Sequence, residues 1–217
     1  MKLKLKESGK EGLKVGITKQ GKKYSVRDDR SRYFFPNEWE LFMKQLRPKN
    51  TFIFEMLLQT GGRIAEILEI KPSDIDFGRN TLTLRVTKTR HKIGERVGRK
   101  RTFVISKQFM FKLKKYIASK KIKNDELLFT FGQKSVYLLL RRALVRAGIK
   151  DYYNFSLHNI RKTTGNWLKA LGVPAEEICL RLGHDFNTYL KHYGSATIFD
   201  RDDRVQMVRI MGNLYDF

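Results

Sequence analysis

The stretch TFIFEMLLQTGGRIAEIL, from Thr51 to Leu68, decides the fold. Its first half is strongly apolar and predicts a helix. The pair Gly61-Gly62 interrupts that helix, and the segment from Arg63 onward predicts another one. The segments on both sides of this stretch continue the helical pattern.

Helical periodicity extends in both directions. Upstream, Pro36 stands at the first helical position of PNEWELFMKQL. Downstream, four segments have helical periodicity, glycine closes two of them, and an amphipathic segment ends the chain. These segments are KQFMFKLKKYIAS, QKSVYLLLRRALVRAG, HNIRKTTGNWLKALG, PAEEICLRLG and DRVQMVRIMGNL.

Two segments are predicted to be strands. NTLTLRV (80–86) and RTFVIS (101–106) alternate and are rich in β-branched residues, which favours an antiparallel pair. The basic, glycine-containing segment TKTRHKIGERVGRK is then a long hairpin tip. The predicted fold class is mainly α with a small antiparallel β-sheet, an α+β fold.

The charge of the chain indicates a polyanionic partner. Lysine and arginine number 45 against 22 acidic residues, so the formal net charge is +23. Self-repulsion at this level disfavours compaction unless a polyanion binds. No stretch approaches the roughly 18 apolar residues of a membrane-spanning helix, and no secretory signal is visible. Nucleic acid is therefore the favoured partner and no membrane association is expected.

A single cysteine, Cys179, gives no disulfide framework and fits a cytoplasmic compartment.

Residues 1–32 form a basic N-terminal extension. KLKLK, GLKVGIT and KKYSVR alternate apolar and polar residues there, which predicts short strands. Two interpretations stay open: an arm that grips DNA, or a flexible, solubilising tail. Residues 33–217 are predicted to form one domain with a C-terminal tail helix.

Arg63 is the first candidate for binding an anion. It begins a helix after the glycine break, and helix N-termini favour anions. A guanidinium at that place adds a bidentate phosphate donor. The alternative is a surface arginine that pairs with Glu66 one turn on.

His158 and Arg161 form a second candidate pair. Their spacing of three residues in SLHNIRKTT puts both on one helix face, and Ser156 is suited to be the N-cap. Two charged donors are an awkward pair for a core, but they suit two phosphate oxygens. Neither the core nor the phosphate interpretation is excluded by this motif alone.

Three further candidates lie at predicted element boundaries. Lys88 stands at the mouth of the basic hairpin, where it can reach a DNA groove or give a proton to a leaving oxygen. His184 follows Leu-Gly, a turn that fixes the direction of its ring, and Tyr193 lies nine residues later. Their ordinary alternatives are non-specific phosphate attraction, a core histidine and a core or surface aromatic.

No cofactor is predicted. The sequence has no cluster of carboxylates, its histidines lack a recognisable zinc-ligand spacing, and it has no glycine-rich phosphate loop. The candidates together therefore indicate a cationic pocket with a phenol nucleophile, free of metal and nucleotide.

The order of four motifs resembles the tyrosine recombinase family, which includes phage integrases and Xer-like enzymes. The motifs are TGGRIAEIL, TKTRHK, SLHNIRKTT and LGHDFNTYLKHY, and the resemblance covers about residues 33–200. The family has an arginine in a T-G-x-R-x-x-E context, a β-hairpin lysine, H-x-x-R, a histidine or tryptophan after L-G, and a later tyrosine. Those places are filled here by Arg63, Lys88, His158, Arg161, His184 and Tyr193.

The chain departs from the family pattern at three points. A helical core-binding domain usually precedes the catalytic domain, whereas this chain has only the basic extension, so either a catalytic fragment or a minimal enzyme is expected. Asn159 stands where the family more often has aspartate. Lys92 and Lys100 compete with Lys88 for the hairpin position.

The resemblance implies that residues 33–217 form a DNA strand transferase domain that needs no metal or ATP. Tyr193 would attack the scissile phosphate of double-stranded DNA and form a 3′-phosphotyrosyl link. Arg63 and Arg161 would hold the non-bridging oxygens, and Lys88 would protonate the leaving 5′-oxygen. His158 would act in proton transfer with the tyrosine, and His184 would position the phosphate.

Several alternatives stay open beside this interpretation. Tyr189, one helical turn earlier, is the rival nucleophile. A type IB topoisomerase-like nicking-closing enzyme and a non-catalytic DNA-binding protein are the rival functions. The resemblance also implies a tetramer on DNA, with a monomer as the expected free state. The spacing of Val205, Val208, Met211 and Leu214 gives the tail an apolar stripe, which can pack on its own domain or on a neighbouring subunit.

Overall fold

The computed structural model describes residues 32–85, 100–193 and 198–214, together with the backbone of residues 6–7, 14–17 and 23–25. The side chains of residues 191 and 192 are not part of this description. Lys88 and Lys92 lie outside the described residues, as does the predicted hairpin tip that carries them. The N-terminal strands β1 (Lys6–Glu7), β2 (Lys14–Ile17) and β3 (Lys23–Ser25) form an antiparallel sheet in that order.

The rest of the described chain is mainly helical, as the sequence predicts. Its second sheet has the order β4 (Ile75–Asp76), β5 (Thr81–Arg85) and β6 (Lys100–Val104), all antiparallel. The helices are α1 (Pro36–Lys44), α2 (Pro48–Thr60), α3 (Ile64–Leu68), α4 (Lys107–Lys120), α5 (Gln133–Arg146), α6 (Leu157–Ala170), α7 (Ala175–Leu182), α8 (Phe186–Tyr193) and α9 (Arg201–Ile210).

The core is built around α2 and α6. Helix α2 is apolar on nearly every face, and this predicts a helix surrounded by protein. The hydroxyl of Thr164 on α6 donates to the carbonyl of Leu58 at 2.9 Å. The indole of Trp167 on α6 donates to the carbonyl of Phe34 at 2.9 Å, which joins the segment before α1 to the same core. These contacts fix α6 against α2.

Two buried arginines complete the C-terminal end of α2. Gly61 ends the helix in a left-handed conformation with φ of +58°, which favours glycine. Arg181 donates to the carbonyl of Gln59 at 3.0 Å, and Arg161 donates to that of Gly61 at 2.8 Å. Helix C-termini carry unpaired carbonyls and partial negative charge, so both guanidiniums are well placed there. As a result α6 and α7 are anchored to the glycine break.

The tail helix α9 packs on its own domain. Met207 and Met211 are buried, Arg209 forms an ion pair with Glu40 on α1, and the side chain of Gln59 lies 3.5 Å from the carbonyl of Ile210. The predicted apolar stripe is wrong at Val205, which is 62% exposed. A spacing of three residues drifts around a helix with 3.6 residues per turn, so the stripe does not stay on one face.

None of the helices in the described ranges is long and apolar enough to cross a membrane.

Candidate active site

Arg63 occupies the N-cap position of α3, directly after the glycine break. Its backbone N–H donates to Oε2 of Glu66 at 2.9 Å, and its Nη1 donates to Oε1 at 2.9 Å. The predicted pair with Glu66 therefore forms, but it is not a surface pair. The carboxylate is 2% exposed, whereas the Arg63 side chain is 47% exposed. The guanidinium is anchored on one side and open to solvent on the other.

Arg161 is buried in α6 and links two of the predicted motifs. Its Nη1 donates to the carbonyl of Gly61, and its Nη2 donates to the carbonyl of Leu182, next to the turn that carries His184. Its Nε has no hydrogen-bond partner among the described residues. Burial first, and then the charges of Arg63 and Arg101, lower the pKa of Arg161 to about 9. The charged form of Arg161 is thus disfavoured by its surroundings, and an anion that bound at this cluster would stabilise it.

Arg63, His158 and Arg161 line one open pocket of about 700 Å³. His158 lies one turn before Arg161 on α6 and is exposed, and Ser156 is the N-cap of that helix, as the sequence predicts. The other lining residues come from α5 and from the helix starts, and none of them is acidic: Gly62, Ile64, Gln133, Lys134, Tyr137, Ser156 and Leu157. The pocket has the size and charge to receive a phosphate of a nucleic acid backbone.

Tyr193 ends α8 and is 1% exposed. Its ring lies on α6 at Gly165, where an added Cβ would be 2.6 Å from Cε1 and Cζ and 3.0 Å from the hydroxyl oxygen. Gly165 follows Arg161 by one helical turn, so the phenol is brought beside the buried guanidinium. Burial raises the pKa of Tyr193 to about 12, although the charge of Arg161 acts in the opposite direction. Lys169, one turn further on α6, donates to the carbonyl of Tyr193.

His184 lies against the same tyrosine. It follows Gly183, whose φ of +62° ends α7 in a left-handed turn, and its backbone N–H donates to the carbonyl of Cys179 at 3.0 Å. The rings of His184 and Tyr193 are near parallel, with centroids 6.2 Å apart. The predicted Leu-Gly turn therefore aims the imidazole at the end of α8.

Tyr189 is also buried, but its electrostatic surroundings differ. Its ring centroid lies 5.7 Å from that of Tyr193. Burial raises the pKa of Tyr189, with further contributions from Cys179 and Glu176 on α7. Cys179 also raises the pKa of Tyr193, but the charge of Arg161 has a larger effect on this phenol and lowers its pKa. Of the two phenols, Tyr193 is the one placed at the cationic cluster.

Arg101 belongs to this cluster, and the sequence reasoning missed it. It lies on β6, is 10% exposed, and donates from Nη2 to Oε2 of Glu66 at 2.5 Å. Burial alone would raise the pKa of Glu66, but the hydrogen bonds and charges of Arg101 and Arg63 hold it below its ordinary value. Glu66 is thus an ionised carboxylate shared by two guanidiniums.

Asn159 has a structural reason to be an amide. Its Oδ1 accepts the backbone N–H of Ser156 at 2.8 Å, as an aspartate could, but its Nδ2 donates to the carbonyl of Arg32. An aspartate has no donor for that carbonyl when it is ionised. The Asn159 side chain, which stands where the family more often has aspartate, therefore links the start of α6 to the segment before α1.

The described residues hold five of the six predicted side chains at one place: Arg63, His158, Arg161, His184 and Tyr193. Lys88, the sixth, lies outside the described residues. Within the described ranges, no group of three or more histidine, cysteine, aspartate or glutamate side chains could hold a metal ion.

Helices around a small antiparallel sheet, with a cationic pocket beside a buried tyrosine, form the architecture of a tyrosine recombinase catalytic domain. The chain belongs to the phage integrase family, whose model matches residues 32–197.

A relative and several solved structures agree with this assignment. The chain is 28% identical over 138 residues to the tyrosine recombinase XerA of Saccharolobus solfataricus, which covers 64% of this chain and 43% of that protein. A crystal structure of XerA recombinase superposes with a TM-score of 0.61 at 20% identity, over 82% of this chain and 64% of the other. The chain thus spans less than half of the curated relative and somewhat under two thirds of the solved one.

Two further structures with the same fold contain DNA. The XerH site-specific recombinase bound to its difH substrate has a TM-score of 0.58 at 20% identity, over 89% of this chain and 59% of that chain. The Tn1549 transposon integrase in complex with transposon right end DNA has a TM-score of 0.59 at 20% identity, over 82% and 66%. At these identities the likeness establishes a shared fold.

Proposed function

We propose that this chain is the catalytic part of a site-specific DNA recombinase that cuts and rejoins strands through a 3′-phosphotyrosyl intermediate. The observation that carries the proposal is the position of Tyr193, whose ring lies against α6 one turn after Arg161. Arg161 in turn shares an open cationic pocket with Arg63 and His158. The solved recombinases with this fold include complexes with DNA.

The proposed reaction is a substitution at phosphorus. The phenolic oxygen of Tyr193 forms a bond to the scissile phosphorus while the bond to the 5′-oxygen of the next nucleotide breaks. The phenolic proton passes to His158, and the leaving oxygen takes a proton from Lys88. Rejoining reverses these steps with a 5′-hydroxyl from another strand.

The guanidiniums have the task of neutralising charge. A phosphorus with five oxygen neighbours carries more negative charge than the starting phosphodiester, and fixed donors stabilise it most when water is excluded. Arg161 is fixed and buried, and Arg63 reaches the pocket from an anchored position. His184, held by its turn beside Tyr193, orients the same phosphate.

The scheme requires no metal and no nucleotide. The phosphotyrosyl bond conserves the energy of the broken phosphodiester, so rejoining needs no ATP. We expect the covalent adduct to form at the same rate in excess EDTA and without nucleotide. A requirement for a divalent cation or for ATP would remove this part of the proposal.

Double-stranded DNA is the proposed partner, and strand exchange requires several copies of the chain. Each protomer supplies one Tyr193, and exchange between two duplexes cuts four strands, so we propose a tetramer on DNA. Light scattering should find four protomers with two recombining duplexes. A complex that exchanges strands as a monomer or dimer would contradict the tetramer.

A nicked suicide substrate tests the reaction. Loss of the short fragment after cleavage traps the protein on DNA, and we expect a covalent adduct on a denaturing gel. Tyr193→Phe should bind DNA with the Kd of the wild type and form no adduct. The matched control is Tyr189→Phe, which removes the neighbouring hydroxyl and should leave the adduct intact.

The outcomes separate the rival functions. An adduct that survives in Tyr193→Phe but not in Tyr189→Phe would move the nucleophile to Tyr189. Binding without any adduct would favour a non-catalytic DNA-binding protein. Relaxation of supercoiled plasmid without a defined site would favour a topoisomerase-like activity.

A further inference from the structure

We infer that Arg101 is a positioning residue for the proposed cleavage reaction, acting through Glu66 on Arg63 and through Gly183 on the turn that carries His184. This inference rests on the proposed function. Arg101 lies on a strand, outside the motifs that contain the other members of the site.

The first step of the argument is the origin of Arg63's orientation. Its side chain is 47% exposed, and an exposed arginine is not held in one place by a single ion pair. However, both its backbone N–H and its Nη1 donate to Glu66, which is buried and is not free to follow it. The direction of the Arg63 guanidinium is therefore set by the position of the Glu66 carboxylate.

The second step is what holds Glu66. A buried carboxylate needs a compensating charge and filled hydrogen bonds. Arg101 supplies both, because its Nη2 lies 2.5 Å from Oε2 and its Nη1 lies 3.4 Å from Oε1. Among the groups that favour the ionised form of Glu66, Arg101 contributes more than Arg63. Arg101 is also the less exposed of the two arginines.

The third step concerns the histidine turn. A Cβ added to Gly183 would lie 3.0 Å from Nη1 of Arg101 and 3.5 Å from its Cζ. The guanidinium thus packs directly on the backbone that precedes His184. One side chain therefore contacts both the support of Arg63 and the turn of His184, although these lie more than a hundred residues apart in sequence.

The fourth step is electrostatic. The guanidiniums of Arg63 and Arg101 both pair with the Glu66 carboxylate, and the charges of these two arginines lower the pKa of Arg161. Positive charge thus exceeds negative charge among these four side chains. A bound phosphate would offset this excess, while Arg101 is turned to Glu66 and keeps the carboxylate in place.

Arg101→Lys is the direct test. Lysine keeps the charge but cannot bridge both carboxylate oxygens or cover Gly183 with a planar group. At saturating suicide substrate we expect adduct formation to be roughly 10- to 100-fold slower, since small displacements of catalytic groups have effects of this size. The Kd for DNA and the Tm should remain close to those of the wild type. An unchanged rate would overturn the inference.

The matched control is Arg85→Lys. Arg85 forms a two-nitrogen contact with the buried carboxylate of Asp74, at 3.0 and 2.8 Å, in the same sheet. It pairs with Lys100 on the neighbouring strand, so it lies on the opposite face of the sheet from Arg101. We expect this control to leave the rate of adduct formation unchanged. An equal loss of rate in both variants would mean that the loss comes from a general disturbance of the sheet and not from a positioning role of Arg101.

A double-mutant cycle separates positioning from general weakening. If Arg101 acts through Glu66 on Arg63, Arg101→Lys should slow the reaction much less in an Arg63→Lys background than in the wild type. Independent, multiplicative losses would overturn the proposed route. If Arg101→Lys does not fold, Arg101→Gln serves in the same cycle, since it removes the ion pair with Glu66 and leaves the residues of the Arg63–Glu66 pair unchanged.

The two proposals can fail separately. A wild-type chain that forms no adduct with any cleavable substrate would remove the proposed function. A wild-type chain that forms the adduct, beside an Arg101→Lys variant that forms it equally fast, would remove only the role of Arg101.

Discussion

At the scale of the residue, the enclosure of Tyr193 is the decisive feature. A phenol that lies on Gly165 with almost no exposed surface cannot reach a phosphate unless DNA binding changes its surroundings. Burial also keeps its proton in place, because the charged form of a buried group is disfavoured. The proposed reaction therefore requires that DNA binding brings a phosphate and its cationic partners to this phenol.

This enclosure predicts how stability depends on alkaline pH. The pKa of Tyr193 is about 12 in the folded protein and about 10 when the chain is unfolded. The folded state therefore holds this proton more tightly, and its contribution to stability is fully present below pH 10 and is lost as pH rises toward 12. The contribution amounts to roughly 2–3 kcal/mol, since each unit of pKa corresponds to about 1.4 kcal/mol.

Urea unfolding between pH 8 and 11 measures this effect. The free energy of unfolding of the wild type should fall more steeply above pH 10 than that of Tyr193→Phe. A spectrophotometric difference titration of the two proteins should show one phenol ionising near pH 12. A difference midpoint near 10 would show that the hydroxyl is accessible in the free protein.

At the scale of the element, the turn between α7 and α8 packs on Arg101 through Gly183 and places His184 beside Tyr193. Gly183 has positive φ, and its missing side chain leaves room for Arg101. Gly172, which follows α6, has a φ of +81° with no atom within 4 Å of an added Cβ. The two positions therefore share the conformational requirement and differ in the contact.

Alanine at these two glycines should have different effects on the reaction. Both Gly183→Ala and Gly172→Ala should lower the free energy of unfolding by roughly 1–2 kcal/mol, the cost of a left-handed non-glycine residue. Only Gly183→Ala should slow adduct formation, because Glu66 prevents Arg101 from moving aside. Chemical denaturation and the suicide-substrate rate provide the two measurements. Equal rates in both variants would show that the contact at Gly183 is unimportant.

The sequence predicted the larger elements well because burial repeats along them. The helices from α4 to α7 follow apolar periodicity and α2 is a nearly continuous apolar run, whereas β4 has two residues and no detectable pattern. Arg101 escaped notice among the basic residues of the hairpin, since its partner Glu66 lies 35 residues away. One signal was present: Arg101 shares its strand face with Phe103 and Ile105, and a charge at such an inward position needs a buried partner.

At the scale of the whole molecule, two features bear on the proposed DNA binding and assembly: the net charge and the position of the tail helix. The net charge of the chain, +23, is much larger than the excess of positive charge in the candidate site. Helix α9 is held on α1 of the same chain by its buried methionines and the Arg209–Glu40 pair. If α9 also contacts a neighbouring subunit, it must either leave this position or use the part of its surface that its own domain leaves exposed.

The excess charge should make DNA binding strongly dependent on salt. Each phosphate that is neutralised releases counterions, so a plot of log K against log salt should have a slope near −0.9 per phosphate contact. Fluorescence anisotropy with a labelled duplex, at salt concentrations from about 50 to about 300 mM, measures this slope. A nearly flat plot would mean that the charge is not a DNA-binding surface.

The most direct measurement is the identification of the residue that becomes linked to DNA. The trapped suicide complex should be digested with nuclease and protease, and the nucleotide-bearing peptide sequenced by mass spectrometry. We expect the modification on Tyr193, in the peptide that contains α8. A modification on Tyr189, on another residue, or on none would contradict the assignment of the nucleophile to the phenol beside Arg161.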